Sequence, residues 1–251
     1  MSIKIADIKV ELIDHMGTDL SVVNAARVSF DKKSEFEVDP NGGVCTCEAW
    51  YEHECCCGNF HPQLRLKQAD VKLINYLAKH KHFSPFNHTF ITLKVKAPVF
   101  VARQLVKHEY MPWNEESRRY ISSEPEFYFP DQYRKAAANV KQGSSDEIVD
   151  TNEIWPDSED GYDEFGSVQY ALNYYNWLLA KGVCAEQARM FLPQNMMVNW
   201  YWSGTLKAFS KMLNLRLEAH SQRETQKVAE QAVSLIEPLF PVSLKALLDN
   251  P

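Results

Sequence analysis

The clearest hydrophobic pattern in the chain is an alternation of apolar and polar side chains at residues 91–97. The odd-numbered positions hold isoleucine, leucine, valine and alanine, and the even-numbered ones hold threonine and two lysines. A period of two residues is typical of a strand that is buried on one face. We therefore predict a strand that ends at Pro98, and the apolar run behind it at residues 99–106 must also be buried.

Apolar positions elsewhere recur at the spacing of amphipathic helices. Asp19 is placed to cap the first of these helices, and Gly143 and Gly182 are placed to end two later ones. A strand near residues 3–13 precedes the first helix. The predicted helices cover residues 20–30, 64–80, 130–143, 165–182 and about 213–239.

The order of these elements bears on the fold class. They do not alternate in regular β–α–β units and no internal repeat is present, so the order favours an α+β fold over a doubly wound sheet. The chain has 251 residues, of which 45% are hydrophobic, which is enough for one good core. We predict a single domain over residues 1–251 with a mixed sheet and long helices. It carries an insertion at about residues 32–62 and an acidic loop at about residues 144–165.

Charge is distributed unevenly along the chain. The net charge of -6 argues against general binding to nucleic acid polymers. Residues 144–165 hold nine acidic side chains and no lysine or arginine, so the remainder is slightly basic and leaves room for an anionic small-molecule site. No run approaches the roughly 18 apolar residues of a membrane span, and the N-terminal segment lacks a signal-peptide core. We expect a cytoplasmic protein without a membrane partner.

The predicted insertion concentrates cysteine and histidine. Five of the six cysteines of the chain lie within thirteen residues. Tetrahedral zinc sites take four such ligands, so the cluster predicts a zinc site, although three consecutive cysteines cannot all face one metal easily. The alternative is a set of reduced surface thiols, since disulfides are rare in the cytosol. The candidate ligands are Cys45, Cys47, His53, Cys55, Cys57 and His61, with Cys56 inside the run of three.

Residues 107–120, with the sequence KHEYMPWNEESRRY, carry charges of both signs in a short space. A solvated surface helix would explain such a pattern. The block follows directly on a buried apolar run, however. We therefore predict that its side chains line a cavity or an interface.

Arginine recurs beside apolar segments in three separated parts of the chain, at residues 103–120, at Arg189 and around Arg216. Arginine binds phosphate through two parallel N–H donors, so this distribution predicts a phosphorylated ligand. A surface ion pair is the alternative, and for Arg223 with Glu224 we adopt it. Arg216 has apolar residues on both sides, and its guanidinium is expected to reach into a site. No GxGxxG or GxxxxGK[ST] loop is present, so a nucleotide or flavin would need another kind of site.

The block at residues 107–120 resembles the signature of the flavin-dependent thymidylate synthases. That signature has an Arg-His-Arg triplet, seven residues and a serine, and it ends Asn-Glu-x-Ser-x-Arg-Tyr. This chain has Lys107, His108 and Glu109, seven residues and Ser117, with the run NEESRRY around the serine. Further blocks match in the family's order: DLSVVNAARVSF, KHKHFSPFNH, FITLKVKAPVFVARQ, ARMFLP and LNLRLEAHSQRE. The chain is identified as a member of this family.

The resemblance implies an enzyme of deoxynucleotide biosynthesis with the family's fold. Such enzymes form dTMP by building a methyl group at C5 of dUMP. The carbon comes from methylenetetrahydrofolate, and the hydride comes from FAD that NADPH has reduced. The family also implies a homotetramer that buries FAD between subunits. It attaches no enzyme residue to the base, so the lack of an obvious catalytic cysteine is expected.

The resemblance assigns one group of residues to the nucleotide. Arg216 matches the family's essential arginine, whose fixed guanidinium would polarise the pyrimidine ring at its N3/O2 edge. Ser117, Arg119 and Arg189 would hold the 5′-phosphate with help from Gln104. Ser117 as a nucleophile is the alternative, but no base stands beside it in the sequence. With the backbone N–H groups of residues 116–118, the full nucleotide set is Gln104, Lys107, Glu115, Glu116, Ser117, Arg118, Arg119, Arg189 and Arg216.

A second group matches the family's positions around FAD. Lys107 keeps the charge of the triplet's first arginine but loses its planar fork. Glu109 reverses the charge where the second arginine would face the FAD phosphates, and Lys207 and Lys211 are the candidates to restore the balance. His82 is placed to stack near the isoalloxazine or the folate. The full flavin set is His82, Ser84, Lys107, His108, Glu109, Lys207 and Lys211.

Two other functions stay open. One is an enzyme of the same fold that methylates or hydroxymethylates C5 of dCMP, because an added carboxylate such as Glu109 or Glu116 would suit the N4 amine of cytosine. The other is a catalytically silent homologue that acts as a metal-binding interaction module. The insertion and the altered triplet favour this second reading, whereas the intact NEESRRY run, Arg189 and Arg216 oppose it.

Overall fold

The computed structural model describes residues 3–43, 62–138, 143–154 and 164–251. The chain divides into two compact units, each of which combines helices with strands, so the predicted α+β class is confirmed. We call them the sheet unit and the helical unit. The sheet unit contains Met1–His15, Ile91–Gly204 and Ala208–Leu235, and the helical unit contains Met16–Phe90, Thr205–Lys207 and Ile236–Pro251.

The elements follow one another in mixed order along the chain. The strands are β1 (Lys4–Ile5), β2 (Lys9–Met16), β3 (Glu37–Gly43), β4 (Pro62–Arg65), β5 (Phe90–Pro98), β6 (Trp113–Glu115), β7 (Glu126–Phe127), β8 (Arg134–Ala136), β9 (Ser144–Ile148) and β10 (Met197–Gly204). The α-helices are α1 (Asp19–Arg27), α2 (Gln68–Lys79), α3 (Val99–Leu105), α4 (Thr151–Ile154), α5 (Glu164–Ala180), α6 (Ala185–Ala188), α7 (Leu206–Arg216), α8 (Arg223–Ile236) and α9 (Pro241–Asp249). Short 3₁₀ turns lie at Val28–Phe30, Ser84–His88 and Arg189–Phe191.

Among the described residues, a four-stranded sheet in the order β2–β5–β10–β6 forms the centre of the sheet unit. β5 alternates as predicted, because its odd-numbered residues 91–97 are fully buried. β10 pairs antiparallel with both β5 and β6, so that Trp200 lies opposite Val95 and Trp202 lies opposite Leu93. Directly opposed residues share a face of the sheet, and these two strands therefore build one apolar layer.

Aromatic side chains fill this layer. Trp113 of β6 stacks on Trp200 with ring centroids 4.3 Å apart. Trp202 meets Phe209 of α7 edge to face, with centroids 5.6 Å apart. Offset and edge-to-face rings of this kind add to the free energy gained by burial alone. Through Phe209, the layer thus packs α7 against β10.

The helix α3 forms from the apolar run behind β5. Val101, Ala102 and Leu105 are buried, which confirms on one face of the helix the burial predicted for residues 99–106. The last turn also carries the exposed Arg103 and the half-buried Gln104. α3, which directly follows the buried strand β5, therefore places these two polar side chains in the lining of the cavity described below.

Two predictions for residues 130–165 are wrong. Residues 134–136 and 144–148 pair as the antiparallel strands β8 and β9, where a helix and then a loop were predicted. Gly143 has φ = +116°, a conformation that side chains disfavour, and it precedes β9 instead of ending a helix. Arg134 of β8 pairs with Glu224 of α8 at 3.4 Å. Such a contact between distant segments leaves no trace in local periodicity.

The predicted helix at residues 213–239 is also wrong as a single element, because α7 ends at Arg216 and α8 begins seven residues later at Arg223. The turn between them has its own hydrogen bonds. Gln226 Nε2 donates to the Glu218 carbonyl at 2.7 Å, and the backbone N–H of residue 221 donates to the same carbonyl at 2.9 Å. This break places Arg216 at a helix end.

The other helix predictions differ mainly at their ends. α2 begins at Gln68 because the preceding residues form β4, which pairs with β3. α5 agrees with the predicted long helix, and Gly182 follows it with φ = +83°. Thr18, not Asp19, is the N-cap of α1. Asp19 is buried and accepts the backbone N–H groups of residues 242 and 243 at 2.9 and 2.8 Å, so it caps α9 instead.

Candidate functional site

The sheet unit contains a cavity of about 1290 Å³. Small-molecule sites are typically roughly 300–1,000 Å³, so this one has room for a large ligand or for two ligands together. Its lining carries more cationic than anionic side chains among the described residues, which suits an anionic ligand. The cations are Arg103, Lys107, Arg134 and Arg216, and the carboxylates are Glu218 and Glu224.

Arg216 lies at the C-terminal end of α7 and is half-buried. Its Nε donates to Nε2 of His108 at 3.1 Å. Burial lowers the pKa of Arg216. Burial, followed by the charges of Arg216 and Lys211, lowers the pKa of His108 to about 4, so this imidazole is neutral at pH 7. Within the described ranges no carboxylate pairs with Arg216, and its positive charge is available to a ligand.

A second polar group in the cavity is built on two glutamines. Gln104 of α3 donates through Nε2 to Oε1 of Gln222, which precedes α8. Thr225 Oγ1 donates to Oε1 of Gln104 at 3.4 Å. Both glutamines line the cavity. These hydrogen bonds hold the Gln104 amide in a fixed orientation beside the ligand space.

One wall of the cavity contains residues that sequence reasoning did not assign to the site. Arg134 and its partner Glu224 lie there, as does Tyr128, whose pKa is raised by burial. Arg103 and His220 are also in the lining, and both lie in segments whose arginines predicted a phosphorylated ligand, although neither received a role of its own. The segment that holds Arg134 was predicted as a helix, which concealed its position. Arg103 had a usable signal, because it directly precedes Gln104 in the same matched block.

A separate arginine cluster surrounds Ser117. Arg189 Nη1 donates to the Ser117 hydroxyl at 3.4 Å, and Arg119 Nε donates to the same oxygen at 3.3 Å. Arg119 also pairs with Glu186 at 3.5 Å. The structure thus brings together three of the four side chains predicted for the phosphate, whereas the fourth, Gln104, lies in the large cavity with Gln222 and Thr225 as its partners. In the described chain, none of the three clustered side chains is among the residues that line the large cavity.

The neighbouring members of the predicted nucleotide set make contacts within the protein. Arg118 is only 8% exposed, and its guanidinium donates to the Ser123 carbonyl. Glu116 accepts from Asn199 Nδ2 at 3.0 Å, and its backbone N–H, one of the amides predicted for the phosphate, donates to the carbonyl of residue 199 at 2.9 Å. Glu115 accepts from the ring N–H of residue 113 at 3.2 Å. These contacts hold the loop that presents Ser117.

The residues predicted for FAD fall in both units. Glu109 pairs with Lys211 at 3.4 Å within the sheet unit, so the reversed charge has a counter-ion in the chain itself. Lys207, in the helical unit, lies over the ring of Phe83 with its Nζ 3.5 Å from the centroid. His82 and Ser84, in the same unit, are exposed.

Comparison with known proteins gives consistent results over nearly the whole chain. Residues 11–242 match the family model described as thymidylate synthase complementing protein. A flavin-dependent thymidylate synthase from Thermosipho africanus is 33% identical over 94% of this chain and 89% of its own length. The chain belongs to the flavin-dependent thymidylate synthase family. It is therefore an enzyme of the methyltransferase class, as the resemblance predicted.

Other members of the flavin-dependent thymidylate synthase family extend this result. An enzyme of that name from Thermus thermophilus is 32% identical over 96% of this chain and 76% of its own length. Among solved structures, the UMP/dUMP methylase PolB from Streptomyces cacaoi, bound with 5-Br dUMP, is 28% identical. It covers the whole of both chains with a TM-score of 0.74. The similarity to the family fold therefore extends over the residues of both units.

The predicted zinc ligands of this family member, from Cys45 to His61, lie outside the described residues, as do residues 155–163 of the acidic segment. Elsewhere, in the residues that are described, three or more histidine, cysteine, aspartate or glutamate side chains do not gather as a metal would require. The helices of the described ranges include none with the length and apolar character needed to cross a membrane.

Proposed function

We propose that this enzyme methylates C5 of dUMP to form dTMP, with methylenetetrahydrofolate as the carbon donor. FAD, reduced by NADPH, would supply the hydride when it is bound. The observation that carries the proposal is Arg216, a half-buried residue in a large cationic cavity. Its guanidinium is held by a neutral imidazole and, among the described residues, by no carboxylate. The names of the relatives and of the structural neighbour support the same reaction.

The role of Arg216 follows from the weak nucleophilicity of C5. Electron density at C5 rises if the pyrimidine ring is drawn toward an anion, and a fixed cation at the N3/O2 edge stabilises that anion. A guanidinium that is partly withdrawn from water acts more strongly than one at the surface, because the effective dielectric constant is lower. The absence of a carboxylate partner among the described residues keeps this charge from being neutralised in advance.

The cluster around Ser117 suits the 5′-phosphate. A hydroxyl flanked by Arg119 and Arg189 offers several donors to an anion, and charge-assisted hydrogen bonds of this kind are the strong ones. The alternative role of Ser117 as a nucleophile finds no support among its described contacts, because both guanidinium groups only donate and neither can accept a proton. We therefore assign Ser117 to phosphate binding.

The residues present fit a bound FAD. Lys107 lines the cavity, and its ammonium group is suited to a pyrophosphate. The Glu109 carboxylate is paired with Lys211 at 3.4 Å, and this counter-ion reduces the repulsion that a lone carboxylate would exert. The family resemblance assigns the remaining contacts to His82, Ser84 and Lys207. The volume of the cavity also exceeds what one nucleotide requires.

We also propose that the enzyme is a homotetramer. The Ser117 cluster and the Arg216 cavity are separate on one chain, and a second copy can supply one to the other. α5 supports association, because Tyr170 and Trp177 are 76% and 52% exposed on it. Exposed aromatic side chains on one helix are typical of interfaces. Light scattering coupled to size-exclusion chromatography would measure the assembly, and a monomer would contradict the proposal.

The contacts of Glu109 and Glu116 weaken the alternative that the enzyme modifies dCMP. It relied on a free carboxylate for the cytosine amine, but Glu109 pairs with Lys211 and Glu116 accepts from Asn199. The decisive experiment incubates the protein with methylenetetrahydrofolate, FAD and NADPH and with dUMP, UMP or dCMP in parallel, followed by mass analysis of the nucleotide. Methylated dUMP is expected. A product only from dCMP, or a hydroxymethyl product, would contradict the proposed reaction.

Zinc remains a prediction from the sequence alone, since its candidate ligands lie outside the described residues. Elemental analysis of protein purified under reducing conditions with zinc supplied would test it. About one zinc per chain is expected for a four-coordinate structural site. Retention of nucleotide turnover after chelation would agree with a structural role, because every matched substrate residue lies outside the insertion.

A further inference from the structure

His108 makes a contact that its assignment to the flavin does not explain. Its Nε2 lies 3.1 Å from Nε of Arg216. We propose that His108 is a positioning residue, which orients the guanidinium of Arg216 for the nucleotide by accepting the Nε–H. This inference rests on the proposed role of Arg216 and deepens it.

The direction of the hydrogen bond follows from the chemistry of the two groups. Arginine can only donate through its N–H groups, so Nε2 of His108 must present a lone pair. The ring proton is then on Nδ1, and the imidazole is neutral. A protonated imidazole would place a donor against a donor and one positive charge beside another. The geometry thus requires one tautomer and one charge state.

The surroundings of His108 maintain that state. The cationic groups that face it are Arg216 and Lys211 of α7, and both charges oppose protonation. Lys211 in turn binds Glu109, the residue next to His108 in the chain. From β10 the ring of Trp202 approaches to 6.2 Å between centroids and contributes burial without charge. Burial, followed by the charges of Arg216 and Lys211, lowers the pKa of His108 to about 4, so the acceptor form is present throughout the neutral range.

Occupation of Nε decides which edge of the guanidinium remains for a ligand. A guanidinium can bind a planar partner either through Nε and one Nη or through both Nη groups. With Nε bound to His108, only the edge formed by both Nη groups can make two parallel hydrogen bonds. His108 therefore selects one approach of the ring to Arg216. A misplaced guanidinium would still attract the nucleotide but would stabilise the developing anion less well.

Two variants separate positioning from packing. His108→Phe keeps an aromatic ring against Trp202 but removes the acceptor, whereas His108→Gln keeps an acceptor oxygen. His15→Phe is the matched control, because His15 is exposed at the end of β2 and outside the cavity. We expect His108→Phe to lower kcat by up to about a hundredfold with a much smaller change in the Kd for dUMP. We expect His108→Gln to recover most of the lost turnover and His15→Phe to match the parent protein.

The readouts do not all depend on turnover. Calorimetry gives the Kd for dUMP, and titration with FAD gives the flavin affinity of each variant. Nitrogen-15 NMR of labelled histidine identifies the tautomer directly, and Nδ1–H on His108 is expected even if the substrate proves to be another nucleotide. Three results would overturn the positioning role: an Nε2–H tautomer, unchanged kcat in His108→Phe, or loss of FAD affinity without change in kcat. The last result would restore His108 to the flavin.

Discussion

The sheet unit holds two arginine centres that differ in surroundings. Arg216 is half-buried, bonded to a neutral imidazole, and without a carboxylate partner in the described chain. Arg119 and Arg189 are exposed beside a hydroxyl, and Arg119 also pairs with Glu186. Arg216 is thus a partly buried cation without a counter-ion among the described residues. Arg119 is an exposed cation that is partly neutralised by a carboxylate.

The difference between the two centres predicts different roles in catalysis and in binding. A partly buried charge without a counter-ion stabilises an anion that develops during a reaction, because no solvent has to rearrange. An exposed pair around a hydroxyl contributes binding energy to a phosphate that is anionic from the start and stays so. The first centre should therefore affect the rate of the chemical step, and the second should affect affinity. Substitutions at the two centres ought to separate kcat from Kd.

The largest effect is expected at Arg216. Arg216→Ala should lower kcat by about 10²–10³-fold, the range found when one preorganised donor to a developing anion is removed. Binding of dUMP should survive in part because the phosphate contacts remain. Steady-state kinetics at saturating substrate and calorimetric Kd values would measure both. Arg223→Ala is the control, since Arg223 pairs at the surface with Glu230 and not, as predicted, with Glu224. Normal turnover by Arg216→Ala would contradict the claim that Arg216 acts on the chemical step.

The phosphate cluster should show the opposite signature. Arg119→Ala or Arg189→Ala should weaken dUMP binding by about 1.5–3 kcal/mol, the value of a charged hydrogen bond, with kcat at saturation nearly unchanged. Because these guanidinium groups are exposed, their contribution should shrink as salt is added. Ser117→Ala tests the hydroxyl between them and should have a smaller effect on Kd. A large loss of kcat with unchanged Kd would show that the cluster takes part in the chemical step.

A change of intermediate size concerns stability at low pH. His108 has a pKa of about 4 in the folded protein and about 6.5 when unperturbed. As pH falls through this window, the unfolded chain takes up the proton first, so the stability associated with neutral His108 is complete above pH 6.5 and is lost toward pH 4. Chemical denaturation at several pH values would follow the free energy of unfolding. The decline between these pH values should be shallower in His108→Phe than in the parent protein.

The smallest effect is expected at the altered triplet. Glu109→Arg replaces the carboxylate that pairs with Lys211 and should tighten FAD binding by a few-fold, because a cation then faces the pyrophosphate. The free energy of unfolding should change by less than about 1 kcal/mol, since both partners of the lost pair are exposed. Flavin titration followed by fluorescence measures the affinity. Glu147→Arg, which breaks the exposed pair with Lys135 at 3.3 Å, is the matched control and should leave FAD affinity unchanged. Weaker FAD binding in Glu109→Arg would assign Glu109 a direct part in holding the cofactor.

The sequence by itself determined the features that depend on neighbouring residues. The alternation at residues 91–97 identified β5, because a strand buried on one face repeats every two residues. The helical spacing of apolar residues, together with Gly182 at the end of the run, predicted α5 and its length. The ordered blocks around NEESRRY identified the family. The resemblance also assigned roles to Arg216, Ser117, Arg119 and Arg189, and those roles stay predictions.

The tertiary structure decided what depends on residues far apart in the chain. The strand at Arg134 exists with a partner in β9 and with an ion pair to α8, so local helix propensity could not predict it. The division of the long C-terminal helix places Arg216 at a helix end. Its contact with His108 joins positions 108 residues apart. Packing also decides which arginines have a carboxylate partner and which do not. Burial and neighbouring charges, not residue type alone, set the pKa of each group.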